Sequence, residues 1–203
     1  MRDKNLYIAN VGDSRAVVAR KIPTKKIQHY DITSNQKNYS SPSIPPKCTY
    51  VHQDLSIDQN PDSVGEQERI ESLGGFVSPP PEPGLSARVW LDKECTQIGL
   101  AMSRSIGDHS VKSIGVIAEP VVTEYEIQPE TDEFMIIATD GVWEFLDSND
   151  AVNIVAEYFE NGEGAQKGCQ ALIEAAAAKW HEYEGDYRDD ITVLIVKLRD
   201  LLR

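Results

Sequence analysis

FMIIATDGVWEFL, residues 134–146, runs from an apolar stretch straight into an acid. Residues 135–139 suit a buried β-strand. Asp140 and Gly141 follow at once, and then the bulky apolar Trp143 and Phe145. An Asp at the end of a buried strand is held by rigid backbone and directed to the edge of the sheet. This stretch therefore supplies both a core element of the fold and the first candidate site.

Just upstream, VIAEPVVTEYEIQPETDEF reads as two strands, residues 121–127 and 133–139, with the turn at 129–132. Downstream come two helices. Ser148 or Asn149 is placed to cap the first, whose apolar set is Val152, Ile154, Val155, Tyr158 and Phe159. The second spans about 165–180 and carries Leu172, Ile173, Ala176 and Trp180 at helical spacing. ITVLIVKLR then reads as a final buried strand.

At the other end, NLYIANVGDSRAVVAR reads as a β-hairpin, with Gly12 and Asp13 at its turn. Residues 21–46 are polar and weakly periodic, which predicts a long loop or insertion with a short strand near Ile27. Residues 64–73 predict a short helix stopped by Gly74 and Gly75. SPPPEPG cannot be regular structure. VWLDKECTQIGLAMS allows two strand-like pieces around a polar turn. Strands first, two consecutive helices late and one last strand give an α+β fold, not the alternation of a doubly wound one.

The 203 residues suit one domain of ordinary size. Acids outnumber bases 33 to 20, a formal charge of -13, which argues against nucleic-acid binding. No run of about 18 apolar residues is present, so no membrane span is expected. The N-terminal stretch lacks a signal peptide's apolar core. Cys48, Cys95 and Cys169 fit neither a disulfide framework nor a zinc site, which points to a reducing, intracellular compartment, cytoplasmic or nuclear. His29, His52, His109 and His181 are scattered, and none lies at metal-ligand spacing from another.

Three acids share one kind of position. Asp13 sits in a turn, Asp140 ends a strand, and Asp189 with Asp190 precedes the last strand. If they converged they would repel one another unless a cation neutralised them. Hard divalent ions such as Mg²⁺ and Mn²⁺ take oxygen ligands of this sort, and Gly141 would let backbone approach an ion. Asp is also a common turn residue, because it bonds its own backbone. Phosphatases with an Asp nucleophile need a second Asp two positions later, where this chain has Val142. No P-loop, nucleophile elbow or cysteine phosphatase loop is present.

Taken in order, the segments resemble the type 2C, metal-dependent serine/threonine protein phosphatases (the PPM family). YIANVGDSRAVV is similar to that family's hairpin motif. SIDQNPDSVGEQERIESLGGFV, LAMSRSIGD, IAEPVV, MIIATDGVWEF and DDITVLIV are similar to further motifs in the family's order. The resemblance covers almost the whole chain.

It implies a β-sandwich of antiparallel sheets flanked by helices, with a metal centre in the cleft at one end. The implied activity is hydrolysis of phosphoserine and phosphothreonine on phosphoprotein substrates. Two Mg²⁺ or Mn²⁺ ions would activate the attacking water, and a third would bind more weakly. By motif match Asp140 and Asp189 are metal ligands, and Asp13 joins Asp140 at the third site. Glu144 stands where the family has an Asp, so weakened or rearranged third-metal binding is expected. Residues 58–90 correspond to a variable flap beside the cleft. Arg15, Arg69, Ser103, Arg104 and Asp108 lie in family motifs, with mainly structural roles expected. The resemblance gives a monomer for the full domain.

The resemblance also implies a departure. The family's upstream DGHGG motif is not in this sequence, so the chain corresponds to the C-terminal portion of the catalytic domain, with sheet edges expected to lack partners. On that reading the chain by itself is expected to be inactive. The alternative function is a non-catalytic regulatory or binding fragment.

Overall fold

The structure, a computed structural model, describes residues 4–23, 48–81 and 85–201. In chain order the strands and helices begin with β1 (Asn5–Asn10), β2 (Arg15–Pro23), β3 (Cys48–Asp54), α1 (Glu66–Ser72), β4 (Phe76–Ser78) and β5 (Arg88–Trp90). A 3-10 turn at His109–Ile114 leads to β6 (Val121–Glu126), β7 (Asp132–Ala138) and α2 (Asp140–Trp143). The chain continues with α3 (Ser148–Glu160), α4 (Gly164–Glu184), β8 (Val193–Lys197) and α5 (Leu198–Leu201).

The central layer is an antiparallel sheet in the order β3-β2-β7-β8. Alternation along β7 sends Phe134, Ile136 and Ala138 to one face and Met135 to the other. The first face packs on α3 and α4 through Val152, Val155, Leu172 and Ala176. The second, with Ala16, Val18 and Met135, packs on the two-stranded sheet β1-β6 through Leu6, Ile8 and Tyr125. The fold is therefore α+β, with antiparallel sheets stacked as a sandwich and helices outside. A smaller core of Ile70, Val89, Val111, Ile114 and Val116 joins α1, the β4-β5 pair and the 3-10 turn.

Several expectations are corrected. β1 and β2 are not a hairpin, because β1 pairs with β6 while β2 pairs with β3 and β7. The buried Gln59 side chain takes the bonds a tight hairpin would close: Gly12 N donates to its Oε1 (2.7 Å), and its Nε2 donates to Asn10 O (2.9 Å). Gly12, at φ +116, turns the chain from one sheet to the other.

Residues 21–23 belong to β2, and the rest of the expected 21–46 loop, with Ile27, lies outside the described residues. β8 is an edge strand rather than a buried one, with Leu194 54% exposed. α3 is capped by Asp147, whose Oδ1 accepts from Asp150 N (2.7 Å), and Ser148 is already helical.

The remaining turns are well bonded. The turn before β7 closes on the buried Asp132 carboxylate, which accepts from Gln128 N and from Tyr125 Oη. Of the expected strand pieces in 89–103, the second is a single bridge, Val89 to Leu100.

Candidate metal centre

The end of β7 and the start of the last strand segment are stitched together. Thr139 N donates to Thr192 O (3.1 Å), Thr192 N donates to Thr139 Oγ1 (3.1 Å), and Thr139 Oγ1 donates to Asp190 O (3.1 Å). Asp140 and Asp189 are thereby brought to the same end of the sheet. Gly141 has a different role from the one expected: its bare Cα lies against the Asp190 backbone, where a Cβ would overlap the carbonyl. Two indoles fix the turn. Trp143 Nε1 donates to Ala138 O (2.8 Å), and Trp180 Nε1 donates to Gly141 O (2.7 Å). Phe145 packs edge-on against Trp180 and stacks on Tyr183.

Asp13 enters from the turn that Gln59 braces. Ser103 N donates to Gln59 O (2.7 Å), so residues 10–12, 59 and 103 form one bonded unit. Arg15, expected to have a mainly structural role, makes contacts of that kind. Its guanidinium grips Asp58 with a shortest contact of 2.6 Å, donates to Ser148 Oγ and lies over Trp143. Arg69 and Arg104 both clamp the buried Glu66. Arg104 Nη1 also donates to Glu119 O (2.8 Å).

Asp13, Asp140, Glu144 and Asp189 all line one cavity of about 490 Å³, together with Glu184. Their charges act on one another. Burial, then the Asp140 charge, then those of Asp58 and Asp189, push the Asp13 carboxyl up to about 6, against a backbone hydrogen bond that lowers it. Burial and Asp189 raise Asp140. Burial, Asp140 and Asp13 raise Glu144, opposed by Arg88. These are oxygen donors in a crowded anionic field, the chemistry that hard divalent cations relieve.

Among the described residues, however, no three His, Cys, Asp or Glu side chains come close enough to hold an ion by themselves. Asp189 Oδ1 accepts from Asp190 N (2.7 Å), and the Asp190 residue is exposed. His52, His109 and His181 are exposed, and His29 lies outside the described residues.

Sequence reasoning missed Gln59 and Glu184. Gln59 stands in a quoted motif, but nothing local shows that its amide reaches residues 10–12. Glu184 is simply the last residue of α4. Glu66 was visible as an acid three residues before Arg69, the spacing of a helical ion pair.

The sequence model of the family described as Protein phosphatase 2C matches residues 1–182. The chain belongs to the protein phosphatase 2C family. Asp13, Asp140 and Glu144 fall inside that match, and Asp189 lies beyond it.

Among curated relatives, "Probable protein phosphatase 2C 18" of Arabidopsis thaliana is 33% identical over 97% of this chain and 34% of its own length. "Probable protein phosphatase 2C 72" of the same plant is 32% identical over 97% of this chain and 51% of its own. "Probable protein phosphatase 2C 48" of Oryza sativa subsp. japonica is 38% identical over 86% of this chain and 42% of its own. The chain thus spans about a third to about half of the curated protein phosphatase 2C sequences it matches.

Two solved structures share the fold. A serine-threonine phosphatase 2C from Toxoplasma gondii aligns with a TM-score of 0.68 at 23% identity, over 96% of this chain and 54% of that one. A C. elegans sex determining protein aligns at 0.62 and 19%, over 97% and 38%. No helix among the described residues is long and apolar enough to cross a membrane.

Proposed function

We propose that the chain serves phosphoserine and phosphothreonine hydrolysis on proteins at a two-metal Mg²⁺ or Mn²⁺ centre. Asp140 and Asp189 would be ligands, with Asp13 and Glu144 at a third, weaker site. The observation that carries this reading is the gathering of these four carboxylates on one cavity in a chain of the protein phosphatase 2C family. Their donor chemistry fits hard cations, and water or further groups would complete the coordination.

Such ions, when bound, lower the pKa of water and neutralise charge on a transferring phosphoryl group. The chain's own residues supply placement. Gly141 and Thr139 lock Asp140 beside the 189–192 segment, Trp143 and Trp180 hold the turn, and Gln59 holds the Asp13 loop. Pro81, Leu85, Ser86 and Arg88 line the same cavity and belong to the segment 58–90, which on this reading would be the flap.

The test is phosphate release from a phosphothreonine peptide with Mn²⁺ and with chelator, for the chain and for Asp140→Asn. Release that neither chelator nor Asp140→Asn affects overturns the reading. Mn²⁺ that raises Tm in the parent but not in Asp140→Asn, with no turnover, supports the ligand assignment and makes the isolated chain a non-catalytic piece of the site.

A further inference from the structure

The β2–β7 ladder ends at Arg15, which lies directly across from Ala138. Asp13 stands two residues before Arg15, and Asp140 stands two residues after Ala138. The two candidate ligands therefore leave the same open end of the ladder, one from each strand. Burial and then the Asp140 charge raise the Asp13 carboxyl, so the two strand ends repel one another. The last rung has to hold them together against that repulsion.

Arg15 does so with its side chain as well as its backbone. The guanidinium meets the Asp58 carboxylate through Nε (3.1 Å) and Nη2 (2.6 Å), the bidentate geometry of a strong pair. Nη1 donates to Oγ of the buried Ser148 (3.1 Å), the first residue of α3. The guanidinium carbon lies 5.1 Å from the ring centroid of Trp143, the last residue of α2. Trp143 Nε1 in turn donates to O of Ala138, Arg15's own partner in the ladder (2.8 Å). One side chain close to Asp13 thus touches both ends of the segment 143–148, which follows Asp140 and carries Glu144. Asp58 is itself anchored to the Asp13 loop, because the next residue, Gln59, bonds Gly12 N and Asn10 O.

We propose that Arg15 is a positioning residue of the candidate metal centre: it clasps the Asp13 loop to the turn that carries Asp140 and Glu144, and so sets the separation of these acids. The consequence for an ion rests on the metal-centre reading above, whereas the clasp is measurable without metal. A charge role and a positioning role differ in sign. Arg15→Met leaves the Asp58 charge unpaired, and that charge already acts on Asp13. If charge alone mattered, a divalent cation would bind the variant more tightly. If the clasp places the acids, the cation binds more weakly in spite of the stronger negative field.

The test has two arms. Hydrogen–deuterium exchange in chelator compares the parent with Arg15→Met and with Arg20→Met, which breaks an ion pair to the buried Asp132 farther along the same strand. Arg15→Met is expected to speed exchange both at residues 11–14 and at residues 140–148, and Arg20→Met at neither. Calorimetric titration with Mn²⁺ then reads affinity. Arg15→Met should weaken binding about tenfold, the effect of disturbing residues that orient metal ligands. Ser148→Ala, which leaves the Asp58 pair intact, should weaken it about threefold through the loss of one hydrogen bond. Arg20→Met should leave Mn²⁺ affinity unchanged, whatever it does to Tm. If Arg15→Met does not fold, Ser148→Ala carries both readouts.

Faster exchange confined to residues 11–14 overturns the clasp, because the two segments then move independently. Unchanged or tighter Mn²⁺ binding in Arg15→Met overturns the positioning role. So does an equal loss of affinity in Arg20→Met, which would mean general destabilisation. A parent that binds no Mn²⁺ overturns the metal-centre reading and the positioning role with it, while the exchange arm still decides the clasp.

Discussion

Gly141 lies flat against the carbonyl of Asp190, with no room for a single methyl group between them. This contact joins the turn after β7 to the segment before β8, and so holds Asp140 and Asp189 at one end of the sheet. Both partners are backbone, and neither can rotate away. Gly141→Ala is therefore expected to cost about 1–3 kcal/mol of stability. It should also lower Mn²⁺ affinity more than an equally destabilising change in the distant core, such as one at Leu172. Urea denaturation and Mn²⁺ titration of the two variants make the comparison.

Trp180 ties α4 to the same turn through its bond to Gly141 O. Trp180→Phe keeps an aromatic ring but leaves a buried carbonyl without this donor. A loss of about 1–3 kcal/mol is expected. Chemical denaturation checks it, and a change below about 0.5 kcal/mol would show that the carbonyl finds another partner.

Glu66 provides the clearest pH dependence. Burial alone would raise its carboxyl, but hydrogen bonds from Arg104, Arg69 and Ser103 outweigh burial and hold it well below its ordinary value of 4.5. A depressed acid stabilises the fold fully above its unfolded value, and that contribution is lost as pH falls toward the native one. Glu66→Gln leaves two guanidinium groups facing each other and is expected to cost about 3 kcal/mol at pH 7. It should also flatten the fall in stability between about pH 5 and pH 3. Parallel acid limbs in the two proteins would contradict this role.

Asp13 has the opposite sign. Its native carboxyl is pushed up to about 6 from an ordinary 3.8, chiefly by burial and then by Asp140. The metal-free native state therefore holds a proton that the unfolded chain has released, and stability falls as pH rises from about 4 to about 6. Asp13→Asn should raise Tm at pH 7 in chelator and leave it nearly unchanged at pH 4. Saturating Mn²⁺ should raise the parent's Tm at pH 7, and less in Asp13→Asn. Thermal melts at the two pH values, with and without Mn²⁺, measure both effects.

Much of this architecture was readable along the chain. β6, β7, α1, α3 and α4 appear where hydrophobic pattern and turn residues place them, because β7 is a continuous apolar run buried on both faces and the others each turn one periodic face inward. β3 was missed. Its CTYVHQD is largely polar and follows a proline-rich stretch, and as an edge strand it presents few inward residues, Tyr50 among them. β8 was read as buried from its apolar run, yet only one of its long edges is paired.

The carboxylates illustrate the division more sharply. Asp13, Asp140 and Asp189 are marked in the linear order as strand-end acids within family motifs, and the residue types alone favour a hard cation. Their meeting is a property of three dimensions. Gln59 sends β1 and β2 into different sheets, and the 139–192 stitching draws together residues some fifty positions apart. Local preference sees only the turn at Gly12. Which strand pairs with which, and therefore which acids share a cavity, follows from long-range hydrogen bonds and from packing both faces of the central sheet at once.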